Sequence, residues 1–166
     1  MSIYVVDSNF FIEAHRNTYP LDVAHSFWNK VKQLADDEKI ISIDKVKDEI
    51  YGHEDALKNW CVANLPQDFF KDTAPVVSEY GQIAAWAASR SNHYLPNALA
   101  EFLHADEADA FIVAYAFADI NDRIVVTQEK SDPNRKNKIK IPDACLAMGV
   151  QCCNTIEMFR QLRETF

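Results

Sequence analysis

The chain has 166 residues, of which 48% are hydrophobic, and its 17 basic and 25 acidic side chains give a net charge of −8. This size and composition are typical of one folded domain, residues 1–166, and exclude a disordered chain. No apolar stretch reaches the roughly 20 residues of a membrane span, and the start lacks the features of a secretory signal. We therefore expect a cytoplasmic protein with no membrane partner. The acidic balance argues against binding nucleic acid through a generally positive surface.

The first half of the chain alternates short apolar runs with helical patterns. The run "IYVV" at residues 3–6 is rich in β-favouring residues and too short for a typical helix, so it predicts a buried strand. Ser8 or Asn9 is expected to cap a helix through "FFIEAH". "KIISI" predicts a second strand, and "APVV" a weak third strand. Further helices are expected at residues 22–36, with an apolar stripe of Val23, Phe27, Val31 and Leu34, and at residues 45–51 and 55–63.

The second half continues the alternation. "RIVVT" predicts a strong strand, and "VQCCN" predicts the last one. Pro142 and Gly149 mark the expected start and stop of a helix between these two strands. Helices are also expected at residues 80–89, 107–118 and 156–164. Strands separated by helices predict an α/β fold, a three-layer α/β/α sandwich around a mainly parallel sheet of about five strands.

Acidic side chains stand where two of these strands end. Asp7 directly follows the first strand, while Thr127 ends "RIVVT" and Glu129 lies two residues beyond. Ligands of parallel sheets bind outside the carboxyl ends of the strands, especially where the strand order reverses. If the two strands are neighbours at that point, both acids face one crevice, where Glu49 and Asp109 would join them from adjoining helices. Such an oxygen-rich cluster suits Mg²⁺ or Mn²⁺, and two such ions can clamp an in-line phosphoryl displacement.

A basic loop follows the strand that ends at Thr127. In "KSDPNRKNKIK" the positive side chains outnumber the single aspartate. A loop of this kind is most often simply solvated, but its place beside Glu129 favours contact with an RNA backbone. The residues that we predict to bind RNA are Lys130, Arg135, Lys136 and Lys138.

Four segments together carry a family resemblance. "YVVDSN", "KVKDE", "ADAFIVAYA" and "VVTQE" resemble, in this order, the acidic motifs of PIN-domain ribonucleases, and the resemblance covers nearly the whole chain. The combination with "FW" at residues 27–28, "KNW" ending at residue 60 and "KIPDAC" at residues 140–145 is similar to a PIN-like branch labelled a domain of unknown function.

The resemblance implies a specific activity and site. It implies a Mg²⁺- or Mn²⁺-dependent endoribonuclease that leaves a 5′-phosphate and a 3′-hydroxyl. Such proteins are often toxins of toxin–antitoxin pairs. The expected partners are therefore an RNA substrate, a cognate antitoxin and, in a homodimer, a second copy of the chain. The acids implied as catalytic residues and metal ligands are Asp7, Glu49, Asp109 and Glu129, with Asn9 and Thr127 as polar supports. Glu129 departs from the aspartate frequent at its position, and its extra methylene makes direct metal ligation less secure.

Simpler roles compete with several of these assignments. Asp7 could serve only as a helix cap, and Glu49 has acidic neighbours on an exposed-looking helix. In "DEAD", Asp106 competes with Asp109, and the apolar register of the following helix favours Asp109. Asp143 is either a fifth acid of the site or an ordinary residue in the first turn of a helix.

Two other function classes stay open at this stage. A phosphatase of the haloacid-dehalogenase type also has an aspartate after its first strand, but it usually has a second aspartate two residues later, where this chain has Asn9. The other alternative is a non-catalytic PIN-like module that binds nucleic acid without cleaving it.

Overall fold

Five parallel strands form one sheet in the order β3-β2-β1-β4-β5 in the computed structural model, which describes residues 1–166. The strands are β1 (Ile3–Val6), β2 (Ile40–Ile43), β3 (Phe70–Lys71), β4 (Arg123–Val126) and β5 (Cys152–Cys153). Helices flank the sheet and complete a three-layer α/β/α sandwich, so the predicted fold class is confirmed.

Nine α-helices connect and cover the strands. They are α1 (Ser8–Glu13), α2 (His25–Asp36), α3 (Asp44–Tyr51), α4 (Ala56–Asn64), α5 (Val77–Ser89), α6 (Pro96–Phe102), α7 (Ala108–Phe117), α8 (Ile141–Met148) and α9 (Thr155–Leu162). A π-helical turn, Ala14–Thr18, extends α1, and a 3₁₀ turn, Ala74–Val76, precedes α5. None of the helices has the length and apolar character needed to span a lipid bilayer.

The central strands lie at the middle of the hydrophobic core. All four residues of β2 are buried, as are the last three of β1 and of β4. Helix α7 packs against β2 and β4, and seven successive residues from Ala110 to Ala116 are buried. The one polar side chain of β2, Ser42, donates a 2.6 Å hydrogen bond to the carbonyl oxygen of Val6. This bond satisfies a hydroxyl group that would otherwise be costly to bury between two central strands.

The order of the strands brings β1 and β4 together. Their register is parallel, with Val5 beside Val125 and Val6 beside Val126. The chain adds β2 and β3 on one side of β1 and then crosses to add β4 and β5 on the other, so the order reverses between β1 and β4. The expectation that these two strands are neighbours at the reversal is confirmed. Their pairing places Asp7 and Thr127 side by side.

The third strand and the starts of α2 and α5 differ from the sequence prediction. "APVV" forms the 3₁₀ turn and the start of α5, because Pro75 lacks a backbone donor and favours the first turn of a helix. Phe70 and Lys71 instead pair with the end of β2. Helix α2 begins at His25 rather than at residue 22, because the turn after Pro20 leaves Val23 outside it and 75% exposed.

Candidate active site at the carboxyl ends of the central strands

Asp7 caps helix α1 from a buried position at the end of β1. Its Oδ1 accepts a 2.8 Å hydrogen bond from the backbone amide of Phe10, so Asp7 is the cap in place of Ser8 or Asn9. Its Oδ2 accepts a 2.5 Å hydrogen bond from the Thr127 hydroxyl group on the neighbouring strand. The side chain is only 2% exposed. The capping role is therefore real, but it engages only one of two carboxylate oxygens.

The electrostatic setting of Asp7 is unfavourable to its negative charge. Burial raises the pKa of Asp7 from 3.8 to about 7, although the hydrogen bonds from Thr127 and Phe10 oppose the shift. The charges of Asp109 and Glu129 raise it further. A cap alone does not require other carboxylates nearby, so this coupling indicates a cluster.

Asp109 belongs to the same cluster. It lies in the first turn of α7, whose other residues are almost all buried. Burial raises the pKa of Asp109 from 3.8 to about 7, and the charge of Glu129 adds to this effect, while Lys138 opposes it. Glu49 and Glu107 also raise the pKa of Asp109. Asp7 and Asp109 thus come from distant segments, each has a raised pKa, and the charge of Glu129 contributes to both shifts.

Glu129 is held in place from two sides. Its backbone amide donates a 3.1 Å hydrogen bond to the Thr127 hydroxyl oxygen, and its Oε2 accepts a 2.8 Å bond from the amide of Ile141 at the start of α8. Its Oε1 lies 3.4 Å from Nζ of Lys138. The side chain is only 7% exposed. Thr127 therefore links two acids, because it donates to Asp7 and accepts from the residue 129 amide.

The other predicted acids lie in different surroundings. Glu49 is exposed on α3, and it acts on the cluster only through its charge near Asp109. Asp106 is exposed in the turn before α7, and no hydrogen bond joins its side chain to the cluster. Asp143 is buried, but its two carboxylate oxygens accept hydrogen bonds from the Ser131 hydroxyl group and the Asp132 amide. Asp143 thus anchors the basic loop.

The predicted RNA-binding residues divide into two groups. The side chains of Lys130, Arg135 and Lys136 are exposed on the loop between β4 and α8. The carbonyl oxygen of Lys136 accepts a 2.9 Å hydrogen bond from the amide of Leu95, which attaches the loop to the segment before α6. Lys138 differs from the others, because its ammonium group turns inward to Glu129.

Two cavities meet at Glu129. One has a volume of about 390 Å³, and Pro142 and Leu146 of α8 contribute to its walls together with Thr127 and Asn154. The other, of about 450 Å³, is entirely polar and is lined by Asn9, Glu13, Thr18, Gln128, Glu129 and Lys130. Asn9, predicted as a polar support, therefore lies in the wall of a space next to the acids. Both cavities border Glu129, and neither is lined by Asp7 or Asp109.

Sequence reasoning missed the helix that closes the far side of the cluster. Helix α6 carries Glu101, which lines a small space with Asp109 and Lys138. Its first residue is Pro96, a favoured residue at the first position of a helix, and this signal could have revealed it. Sequence reasoning also passed over Asp44, an acid directly after β2. Asp44 accepts hydrogen bonds from the Thr73 hydroxyl and amide groups, so it ties β2 to the segment after β3.

Comparison with known families places the chain. Residues 4–166 match a domain of unknown function, DUF4411. The chain belongs to the DUF4411 family. No curated protein and no solved structure matches it significantly.

The acids of this DUF4411 protein are of the kind that bind divalent cations. Asp7, Asp109 and Glu129 offer only carboxylate oxygens, the donors that Mg²⁺ and Mn²⁺ prefer. Burial is the main cause of the raised pKa of both aspartates, neighbouring carboxylates add to it, and a bound cation would oppose both effects. No three acidic, histidine or cysteine side chains already stand in a ready-made metal-binding arrangement, and Lys138 occupies the side of Glu129. The donors are thus of the type that a hard cation prefers, but they are not arranged around one in this structure.

Proposed function

We propose that this protein is a Mg²⁺- or Mn²⁺-dependent endoribonuclease of the PIN type. The observation that carries the proposal is that Asp7 and Asp109, which come from distant segments, both have a pKa raised to about 7 and both respond to the charge of Glu129. Strongly shifted acids in a crevice are typical of functional sites, whereas structural acids are usually solvated or paired with a cation. The position at the strand-order reversal is where parallel α/β folds bind ligands.

The side chains of the cluster have separate roles in this proposal. Asp7 and Asp109 would hold the cation, and Glu129 would complete its surroundings directly or through water. A bound Mg²⁺ or Mn²⁺ ion would offset the phosphate charge and promote attack by water on the phosphodiester bond. Thr127 fixes Asp7 and the backbone of residue 129, so that two of the acids keep a constant relation. Glu49, which is exposed, would act through its charge on Asp109.

The shape and charge around the cluster support a nucleic-acid strand as the substrate. The two cavities that border Glu129 would provide space for nucleotides flanking a phosphate bound there. The basic loop carries exposed positive charge at Lys130, Arg135 and Lys136, although the net charge of the chain is −8. Local positive charge of this kind attracts the phosphate backbone without reading its sequence. By its resemblance to PIN-domain toxins, the protein would act as a toxin that a cognate antitoxin protein restrains.

Asp7 is poorly suited to the phosphatase alternative. A phosphatase of that type usually has a second aspartate two residues after its nucleophile. Residue 9, where a second aspartate is expected, is Asn9 in the wall of the polar cavity. The nuclease proposal needs no acid at residue 9.

A second candidate function is a nucleic-acid-binding module without catalysis. The ion pair between Lys138 and Glu129 favours it, because this pair already neutralises part of the cluster. In that case the exposed basic loop would bind RNA and the acids would stay unused.

Incubation of the purified protein with labelled single-stranded RNA separates these functions. We expect cleavage in Mn²⁺ or Mg²⁺, with 5′-phosphate products, and none in excess chelator or in Asp109→Asn. Cleavage that persists in chelator would contradict the metal-dependent mechanism. RNA binding without cleavage at any cation concentration would favour the binding module, and a phosphorylated Asp7 trapped from a phosphate ester would favour the phosphatase. Growth arrest on expression, relieved by Asp109→Asn, would support the toxin assignment.

A further inference from the structure

The backbone on either side of Lys138 is fixed. At the start of the basic loop, Asp143 accepts hydrogen bonds from Ser131 and Asp132. In its middle, the carbonyl oxygen of Lys136 accepts the bond from Leu95, and Ile139 is 1% exposed in the core. Any movement of the Lys138 ammonium group is therefore a movement of its side chain, and the loop need not unfold.

The ammonium group of Lys138 faces three acids. Nζ lies 3.4 Å from Oε1 of Glu129. Burial lowers the pKa of Lys138, but the charges of Glu129, Asp109 and Glu101 outweigh it, so the pKa is raised. The carboxylate of Glu129 is 7% exposed and its other oxygen is bound to the Ile141 amide. Lys138 is the positive side chain that forms an ion pair with Glu129. The Lys138 side chain itself is 33% exposed, so it has a path to solvent.

Lys138 also closes the space beside Asp109. Together with Ile139 it meets Ala98, Glu101 and Phe102 of α6, and the gap between them has no room for a water molecule. A divalent cation carries bound water when it enters a site, and Mg²⁺ gives that water up reluctantly. From this side, a cation cannot approach Asp109 while the lysine side chain stays in place.

We propose that Lys138 is a built-in counter-ion of the acid cluster, which a divalent cation must displace in order to bind. The inference rests on the proposed function, since it deepens the account of the same cluster. In the exchange, the protonated amine leaves Glu129 and Asp109 for solvent, and the divalent cation takes over the neutralisation of both carboxylates. No bond is made or broken within the chain. Lys138 then sets the cation concentration at which the site fills.

Calorimetric titration with Mn²⁺ alone tests this inference on four full-length proteins. They are the wild type, Lys138→Met, Lys138→Arg and, as a matched control, Lys136→Met, which removes a charge of the same loop that points to solvent. We expect Lys138→Met to bind Mn²⁺ about tenfold more tightly or better, because a positive charge within contact distance of the ligands is gone. Lys138→Arg should stay near the wild-type affinity, and Lys136→Met should change it by less than about twofold, because exposed charges are screened.

Thermal unfolding provides a second measurement and checks that each variant is folded. Without a divalent cation, Lys138→Met should unfold at a lower temperature than the wild type, because Glu129 has lost its partner. With saturating Mn²⁺ it should show the larger rise in unfolding temperature, since ligand binding stabilises in proportion to affinity. A merely structural lysine would give the first effect without the second.

The outcomes distinguish the inference from the function on which it rests. Mn²⁺ binding by the wild type with equal or weaker binding by Lys138→Met would overturn the displacement alone. An equal gain in Lys136→Met would also overturn it, because the effect would then be general to the loop's charge. If neither the wild type nor Lys138→Met binds Mn²⁺, the metal-dependent function and the inference fall together.

Discussion

The Thr127 hydroxyl group donates a 2.5 Å hydrogen bond to Oδ2 of Asp7 across the junction of β1 and β4. The two residues are 120 positions apart in the chain, and they meet because both directly follow paired strands. This bond lowers the pKa of a carboxyl group that burial raises to about 7. Together with the bond from the Phe10 amide, it favours the anionic form of Asp7.

Thr127→Val should therefore impair Asp7 without changing the size of the buried side chain. Loss of a hydrogen bond to a charged group costs about 1.5–3 kcal/mol, so the pKa of Asp7 should rise by roughly one to two units. We expect about tenfold weaker Mn²⁺ binding at pH 7, measured by calorimetry. Thr127→Ser retains the hydroxyl group and is the control. Equal affinity in Thr127→Val and Thr127→Ser would show that the bond does not support the site.

The sequence predicted the frame of the site better than its details. The apolar runs "IYVV" and "RIVVT" sufficed to place Asp7 and Thr127 at the ends of buried strands, because such runs have few other stable environments. The direction in which a long side chain turns cannot be read in this way. Lys138 lies in the same basic stretch of sequence as the exposed Lys136, but the fold turns its side chain inward to Glu129.

Strand β3 and helix α6 were also not predicted, because both are short. Strand β3 has only two residues, and its pairing depends on Ser42 of a strand that lies 28 residues earlier. Helix α6 begins at Pro96 after a turn-rich segment that masks its period. Helix α6 supplies one wall of the space beside Asp109. Because α6 was not predicted, the small size of that space could not be predicted either.

Asp7→Asn is expected to abolish cleavage while the metal-free protein becomes no less stable. Asn caps helices about as well as Asp, so the bond from Phe10 can persist. A carboxyl group with a raised pKa in the folded state stabilises the fold fully at pH below about 4, and this contribution is lost as pH rises through 7. The variant removes that loss, so its free energy of unfolding should exceed the wild-type value by about 1–3 kcal/mol at pH 8.

Urea unfolding at pH 5 and pH 8 in chelator checks the sign of this effect. At pH 5 the folded wild-type carboxyl group is still mostly protonated, so only part of its contribution is lost and the difference in free energy of unfolding should be smaller than at pH 8. A larger gain at pH 5 than at pH 8 would contradict the raised pKa, and full cleavage activity in folded Asp7→Asn would remove Asp7 from the site.

Cation binding should depend steeply on pH around neutrality. Burial raises the pKa of both Asp7 and Asp109 to about 7, so a cation must displace protons from the cluster below that pH. Each displaced proton changes the apparent affinity by about tenfold per pH unit. We expect Mn²⁺ affinity to rise by at least about tenfold between pH 6 and pH 7.5. A flat profile over this range would indicate that the cation binds elsewhere.

The exposed part of the basic loop is expected to hold the RNA backbone. Replacement of Lys130, Arg135 and Lys136 with alanine should weaken binding across RNA sequences and reduce the slope of log affinity against log salt by about 2, at about 0.7 per phosphate contact with a single strand. Mn²⁺ affinity should persist, because none of these side chains reaches the acids. The measurement is fluorescence anisotropy with RNA at several salt concentrations.

A matched charge change provides the control for the loop. Lys32, Lys58 and Lys71 lie on α2, α4 and β3, and each pairs with a carboxylate on its own segment. Removing these three changes the net charge by the same amount and costs little stability. If both triple variants lower the salt slope equally, the loop is no more than a solvated surface.

The last prediction ranks the acids by how readily added cation restores activity. Glu129 keeps its place through the Ile141 amide, to which the carbonyl oxygen of a glutamine can also bind. Glu129→Gln should therefore leave measurable cleavage that increases with Mn²⁺, because mass action refills a weakened site. Asp7→Asn and Asp109→Asn should stay inactive at the same concentrations, since they lose the buried charges that position the cation. Cleavage measured against Mn²⁺ concentration for the three variants decides the order. If Glu129→Gln is as inactive as the aspartate variants at saturating Mn²⁺, Glu129 must bind the cation directly.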